Sequence, residues 1–251
     1  MPNPTACLLV IGNEILSGRT QDVNINFLAR RLGQIGIPLR EVRVIPDVAE
    51  TIIRTVNEVR AAFDHVFTTG GIGPTHDDIT AECIADAFGV PWEINQEAYD
   101  IMNARYAEGE FNAARQRMAT MPRGATLILN AVSAAPGFTI GNVHVMAGVP
   151  RIMQSMFDAL APTLEGGAPI ISRAVYALGL LEGAIAADLE AIQKRYPMLD
   201  IGSYPFARSG VNGVAIVSKG TDVEAAEAAT AEVTAMMERL GHVPIQGEPP
   251  A

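Results

Sequence analysis

The 251-residue chain carries 18 Lys and Arg against 28 Asp and Glu, a formal charge of −10, so it lacks the basic face that non-specific nucleic-acid binding needs. Apolar residues make up 49% and charged residues 18%, which suits a folded globule with room for one large and one small domain. No apolar run reaches bilayer length, and Met1-Pro2-Asn3-Pro4 lacks the basic start of a signal peptide, so a cytoplasmic protein with no membrane partner is expected.

Strand-like and helix-like patterns alternate along residues 1–167, as in a doubly wound α/β sheet. Ala6 to Ile11 reads as a first buried strand, and Val23 to Ile35 as an amphipathic helix closed by Gly36. Leu39 to Ile45 is a second strand and Ala49 to Phe63 a second helix. His65 to Thr69 and Ile79 to Phe88 form the third strand–helix unit. A helix over Gln96 to Glu108 and an irregular Arg-bearing stretch to Pro122 follow. Leu127 to Leu129 and Val143 to Met146 read as strands, and Arg151 to Leu164 as a helix. Cys7 and Cys83 fall in a strand and a helix and read as core thiols; their spacing fits no zinc site.

Glu165-Gly166-Gly167-Ala168-Pro169 has linker chemistry. Residues 168–251 then read as a small α+β domain. Its strand Ile170 to Leu178 and helix Leu181 to Tyr196 precede a strand pair, Asp200 to Tyr204 and Gly213 to Ser218. Ala207-Arg208-Ser209-Gly210 turns that pair, and the long helix Val223 to Leu240 follows. The tail from Gln246 to Ala251 is expected to fray.

Chemistry concentrates in Thr69-Gly70-Gly71-Ile72-Gly73-Pro74-Thr75-His76-Asp77-Asp78-Ile79-Thr80. A strand, a glycine turn and a helix start bring backbone N–H groups toward an anion, and two adjacent carboxylates could hold a hard cation against it. The simpler alternative is a tight turn with Asp77, Asp78 or Thr80 capping a helix. No Gly-Lys-Ser/Thr follows, and the first lysine of the chain is Lys194. Phosphate must therefore be held by backbone, arginine or metal. Glu14 after the first strand and Asp47 after the second would share that rim, because ligands of open parallel sheets bind outside the carboxyl ends of the strands. Asp47 with Glu50, and Asp22 or Asn24, also suit plain helix capping. Arg105, Arg115, Arg117 and Arg123 are further candidates to meet a phosphate, while His76 lacks a second histidine at ligand spacing. Trp92 reads as core, and no Gly-x-Ser-x-Gly supports a serine hydrolase.

Several ordered motifs resemble the N-terminal domain of the competence/damage-inducible protein A (CinA) family, within the molybdopterin-binding MoaB/Mog-like superfamily. They are Gly12-Asn13-Glu14-Ile15-Leu16-Ser17-Gly18, Asp22-Val23-Asn24, Val44-Ile45-Pro46-Asp47, the glycine turn from Thr69 to Thr80, Ala134-Ala135-Pro136-Gly137-Phe138 and Met146-Ala147-Gly148-Val149-Pro150. The resemblance covers about residues 5 to 165, and the later segment is similar to the small module that follows in the same family. It implies a three-layer αβα, mostly parallel sheet with a second small α+β domain. It also implies a pocket for a nucleotide or pterin, with Gly12, Glu14, Asn24, Thr69, Gly70, Gly71, Gly73, Thr75, Gly148 and Pro150 at the substrate. Asp47, Asp77 and Asp78 would be catalytic, with Asp77 and Asp78 on a divalent cation (Mg, Mn or Co). The implied chemistry is metal-dependent hydrolysis of a nucleotide pyrophosphate such as ADP-ribose. The alternatives are adenylylation of molybdopterin, or binding of a pterin or nucleotide without turnover. Full-length CinA proteins continue into an amidase domain that this sequence does not contain, so its deamidase activity is not carried over and a separately encoded amidase is an expected partner.

Members of the superfamily commonly self-associate, and Met236 and Met237 at the end of an Ala-rich helix suit close packing. A homodimer without a disulfide is therefore predicted. Light scattering at micromolar concentration should give the mass of two chains; a single-chain mass, unchanged by nucleotide and metal, would contradict it.

Overall fold

The computed structural model describes residues 2–208 and 210–249. Met1 at the start, Ser209 in the predicted turn, and Pro250 and Ala251 in the predicted tail lie outside the described residues. Two compact units divide the chain, residues 1–167 and 168–251.

In the first unit, β1 (Ala6–Ile11) is buried along its whole length and leads through α1 (Asn13–Leu16) to α2 (Asn24–Gln34). There follow β2 (Leu39–Ile45), α3 (Ala49–Ala62), β3 (His65–Thr69) and α4 (Thr80–Phe88). An excursion comprises β4 (Trp92–Ile94), α5 (Gln96–Asn103), α6 (Ala113–Arg117) and β5 (Thr120–Pro122). Then come β6 (Thr126–Ile128), β7 (Gly137–Ile140), β8 (Val143–Met146) and α7 (Pro150–Leu160). The helix expected to run to Glu108 stops at Asn103, and the Arg-bearing stretch contains a helix and a strand of its own. The motif around Phe138 becomes β7, where an unbroken apolar pattern was absent.

The sheet has the order β2-β1-β3-β8-β7-β6. Strands β2, β1, β3 and β8 are mutually parallel, and β7 and β6 add antiparallel. Alternation along β1 sorts its side chains into two cores. Ala6, Leu8 and Val10 pack with Leu28 and Leu32 of α2 and Met153, Phe157 and Leu160 of α7. Cys7, Leu9 and Ile11 pack with Ile52, Val56 and Val59 of α3, Cys83 and Ile84 of α4, and Met102 of α5. Helices thus cover both faces in three layers. Both thiols are buried, and burial pushes each up to about 11. The chain leaves β1 for β2 on one side and returns to β3 on the other. The sheet therefore has its topological switch point between β1 and β3.

The second unit contains β9 (Ile171–Leu178), α8 (Glu182–Arg195), β10 (Asp200–Arg208), β11 (Val211–Gly220), α9 (Val223–Arg239) and β12 (Ile245–Gln246). Its antiparallel sheet runs β10-β11-β9-β12, with α8 and α9 packed on it through Ile185, Ile192, Ala229 and Val233. Two expectations change here. Gln246 does not fray but pairs with Val175. Met236 and Met237 are buried in this unit's own core, so they offer nothing to a second chain.

One buried polar group has a measurable consequence. His144 on β8 sits between the Thr139 hydroxyl (3.0 Å) and His65 Nδ1 (3.3 Å), stacked on Phe67. Burial, aided by neighbouring His65, lowers its pKa to about 3. The unfolded chain takes up this proton below about pH 6.5 and the folded chain does not, so stability falls as pH falls through that window. Between pH 6.5 and 5, wild type should lose up to about 1.4 kcal/mol per pH unit from this group. His144→Gln should show a flatter profile in urea melts; equal slopes would contradict the assignment.

Candidate functional site

The carboxyl ends of β1, β3 and β8 meet because two glycines, Gly70 and Gly148, let their loops touch. Gly70, at φ +103°, lies so close to β1 that a Cβ would sit 2.1 Å from the Ile11 carbonyl oxygen. A Cβ on Gly148 would sit 3.3 Å from Gly70 Cα. Gly12 lies under the Glu14 carboxylate, 2.6 Å from where its Cβ would be. A Cβ at Gly70 or Gly148 would press on a neighbouring strand end, whereas one at Gly12 would meet only the movable Glu14 side chain.

The glycine turn is held from inside the protein. Thr80, fully buried at the start of α4, donates its hydroxyl to the Gly70 carbonyl (3.0 Å) and its N–H to the Gly71 carbonyl (3.0 Å). A Cβ on Gly71 would meet that hydroxyl at 2.1 Å, and one on Gly73 would meet the Asp78 carboxylate at 2.6 Å. The Cβ directions of Gly71 and Gly73 are thus occupied by the protein's own Thr80 and Asp78, while both glycines line a recess. No side chain caps α4. Asp78 Oδ2 instead accepts from the Thr75 N–H (2.8 Å) and hydroxyl (2.5 Å), closing a local turn. Asp77 is solvent-exposed. The Thr75 hydroxyl, then its own N–H and the neighbouring His76, hold its carboxyl below the usual range.

The nominated residues fall into two recesses that share this turn. One, at the switch point, is lined by Glu14, Asn24, Thr69, Gly70, Gly148 and Pro150, together with Thr20 and Asp22. Asn24 is 3% exposed; its Nδ2 donates to the Gly148 carbonyl (2.9 Å) and its Oδ1 has no partner. The Thr69 hydroxyl is likewise buried and unpaired. Asp22 caps α2 through the Ile25 N–H (2.8 Å), so Asn24 is left free of that duty. The second recess is lined by Gly71, Gly73, Asp78, Trp92, Arg117 and Phe138. Arg117 reaches the Asp78 carbonyl (3.4 Å) and Glu82 (3.7 Å), lies 5.4 Å from the Trp92 ring, and keeps its Nε buried and unpaired.

Other nominated groups stand apart. Asp47 accepts the Asn13 N–H (2.8 Å) and so ties the end of β2 to the loop after β1, rather than capping α3. Arg123 pairs with Glu93, and Arg115 with the Glu110 carbonyl and the Tyr106 ring. Among the described residues no three His, Cys, Asp or Glu gather to hold a metal ion. The rim carboxylates therefore form no ready-made cation cage. A larger recess opens at the opposite strand ends, lined in part by Asp64, His65, Thr139, His144 and Leu164. Its polar side chains bond one another or the backbone, as His65 does with Glu165 and Asp64 with Thr5. It presents no free buried group.

A mostly parallel sheet with helices on both faces is the architecture of a molybdopterin-binding-domain fold. Residues 7–166 match the family described as "Probable molybdopterin binding domain", and the chain belongs to that family. Residues 169–244 match "FAD synthase, middle domain"; neither match is an amidase domain. Its relatives are CinA-like. A solved structure described as the protein CinA with unknown function, from Thermoplasma acidophilum, superposes with a TM-score of 0.61 at 30% identity, covering 65% of this chain and 99% of that one. A CinA-like protein from Citrifermentans bemidjiense is 37% identical over 73% of this chain but only 46% of its own length. A relative from Pyrobaculum calidifontis, named only "Protein", is 35% identical over 80% of this chain and 81% of its own. No helix among the described residues is long and apolar enough to cross a membrane.

The packing of the strand ends sets a ranking of stabilities. Gly70→Ala should cost about 3 kcal/mol or more, because a new Cβ meets a backbone carbonyl at positive φ. Thr80→Val should cost about 1–3 kcal/mol by stranding the Gly70 carbonyl. Gly18→Ala, also at positive φ but with nothing within 4 Å, should cost only about 1 kcal/mol. Urea denaturation giving equal losses at Gly70 and Gly18 would contradict the strand-end contact.

Proposed function

We propose that the first unit binds a phosphorylated nucleotide or pterin at the switch point, and that it hydrolyses a nucleotide pyrophosphate such as ADP-ribose with a divalent cation. The observation that carries this reading is the pair of buried, unpaired groups, Asn24 Oδ1 and the Thr69 hydroxyl, in the recess between Glu14 and Gly148. Buried polar atoms without partners are costly, and a ligand bearing hydroxyl or ring N–H groups would satisfy them. The Gly148 carbonyl takes Nδ2, so Oδ1 is the free atom and reads a donor. The Thr69 hydroxyl can give or take.

The residues present fit a cation that arrives with the ligand's phosphates better than a resident one. A magnesium ion needs only one or two carboxylates when phosphate oxygens and waters fill its remaining positions. Exposed, ionised Asp77 and turn-bound Asp78 would supply them. The bound cation would neutralise the pyrophosphate charge and favour attack by water. This chain's own part is to hold the ligand's hydroxyls at Asn24 and to keep the turn rigid through Thr80.

Two other readings have their own support. Adenylyl transfer to molybdopterin is favoured by the description of the matched family. Binding without turnover needs no group beyond the buried acceptor of Asn24 and the Thr69 hydroxyl. An assay of ADP-ribose, NAD, FAD and ATP plus molybdopterin with Mg²⁺, Mn²⁺ or Co²⁺ separates all three. On the hydrolytic reading, Asp77→Asn should lower turnover about a hundredfold with melting unchanged, and Asp78→Asn should do so while also loosening the turn its carboxylate closes on Thr75. Wild-type rates in both variants would remove the acidic pair from the chemistry.

A further inference from the structure

The sheet of the first unit ends on a strand that carries no edge protection. A sheet edge presents unpaired backbone N–H and C=O groups, and proteins guard it with charge, proline, irregular register or a covering side chain. At one edge, β2 carries Arg40, Glu41 and Arg43 and has an irregular register with β1. In the second unit, β10 carries Asp200 and Pro205, and Gln193 Oε1 takes the Ile201 N–H (2.9 Å). The other edge of the first sheet is β6, which has none of these devices. Thr126-Leu127-Ile128 continues into Leu129, and among the described residues the backbone of 126–129 bonds to nothing beyond the sheet.

The surroundings of β6 are uncharged and apolar. Charged residues make up 18% of the chain, yet Gly124 to Pro150 contains no Asp, Glu, Lys or Arg. That stretch builds β6, β7, β8 and the loops between them. Within it Leu129 and Val132 are each 48% exposed. Beside β6 lies the recess at the opposite strand ends, about 640 Å³, where Ile128, Leu129, Leu160 and Leu164 supply apolar wall. Its Thr139, His144 and His65 side chains are already bonded in a chain that ends on the Glu165 carbonyl. A recess so satisfied gains from apolar side chains rather than from a polar ligand.

We infer that β6 is where two copies of this chain meet, pairing antiparallel about a two-fold axis, with Leu129 and Val132 of each copy against the apolar recess of the other. The charge pattern selects a second copy as the occupant. A basic partner would find no carboxylate on these strands and an acidic one no arginine, whereas an identical edge needs neither. Two chains of charge −10 repel each other, and this margin brings no acid onto the paired strands. Three ladder residues bury too little for a stable dimer by themselves, so the apolar filling of both recesses supplies the rest. The assignment is independent of the nucleotide reading, and it gives self-association a surface that the buried methionines of α9 do not.

Sedimentation equilibrium of the full chain, with hydrogen exchange above and below the dimer midpoint, tests it. Wild type should reach the mass of two chains, and the amides of 126–129 should slow as concentration rises. Thr126→Lys and Leu129→Lys, both at exposed positions, should each weaken dimerisation about tenfold or more. Neither should change the melting of the dilute single chain. Arg40→Glu, exposed on the guarded edge strand β2, should leave the dimer as it is. A single-chain mass for wild type, or wild-type dimerisation in both lysine variants, would overturn the assignment. So would a dimer lost in Arg40→Glu, or one that forms without slowing the amides of 126–129.

Discussion

The contact between Gly70 and the Ile11 carbonyl governs the geometry of the site. It holds β3's exit loop against β1 at a distance that no Cβ permits, and Gly148 leans on the same glycine from β8. Thr80 then locks the turn by bonding the carbonyls of Gly70 and Gly71. The recess is what remains between three loops so pinned. Its polar lining is fixed before any ligand arrives, which is the condition for binding without a large ordering cost.

Fixing the loops leaves polar atoms unsatisfied. Asn24 could have capped its own helix, yet Asp22 takes that role and Asn24 turns inward to Gly148. The result is an acceptor buried without a partner, and a neighbouring threonine hydroxyl in the same condition. Structural polar networks do not leave such atoms without reason. The contrasting case is the recess around His65 and His144, which is larger but whose side chains answer one another. The switch-point recess is the smaller of the two, but it is the one lined by unpaired buried atoms.

Much of the architecture was legible in sequence because the first three strand–helix units carry clean periodicity. Ala6–Ile11 is an unbroken apolar run, Leu39–Ile45 mixes apolar and charged residues, His65–Thr69 has an apolar centre, and the structure keeps all three bounds. Strands β4, β5 and β7 were not legible, since three- and four-residue strands are set by pairing partners rather than by their own pattern. At the site, the glycine turn was legible as a turn, but the side chains packed on it were not. That Thr80 and Asp78 pack against Gly71 and Gly73 is a tertiary fact. Asp47 reaching Asn13 across two strands depends equally on packing. The methionines of α9 show the reverse error: residues suited to contact between chains are used inside one.

The most direct measurement is a crystal structure of the chain grown with ADP-ribose. The ligand should lie at the carboxyl ends of β1, β3 and β8, with a hydroxyl or ring N–H within about 3 Å of Asn24 Oδ1. The loops at Gly12, Gly70 and Gly148 should be unmoved. Density for the ligand against His65 and His144 at the opposite strand ends, with Asn24 Oδ1 still unpaired, would contradict the switch-point site.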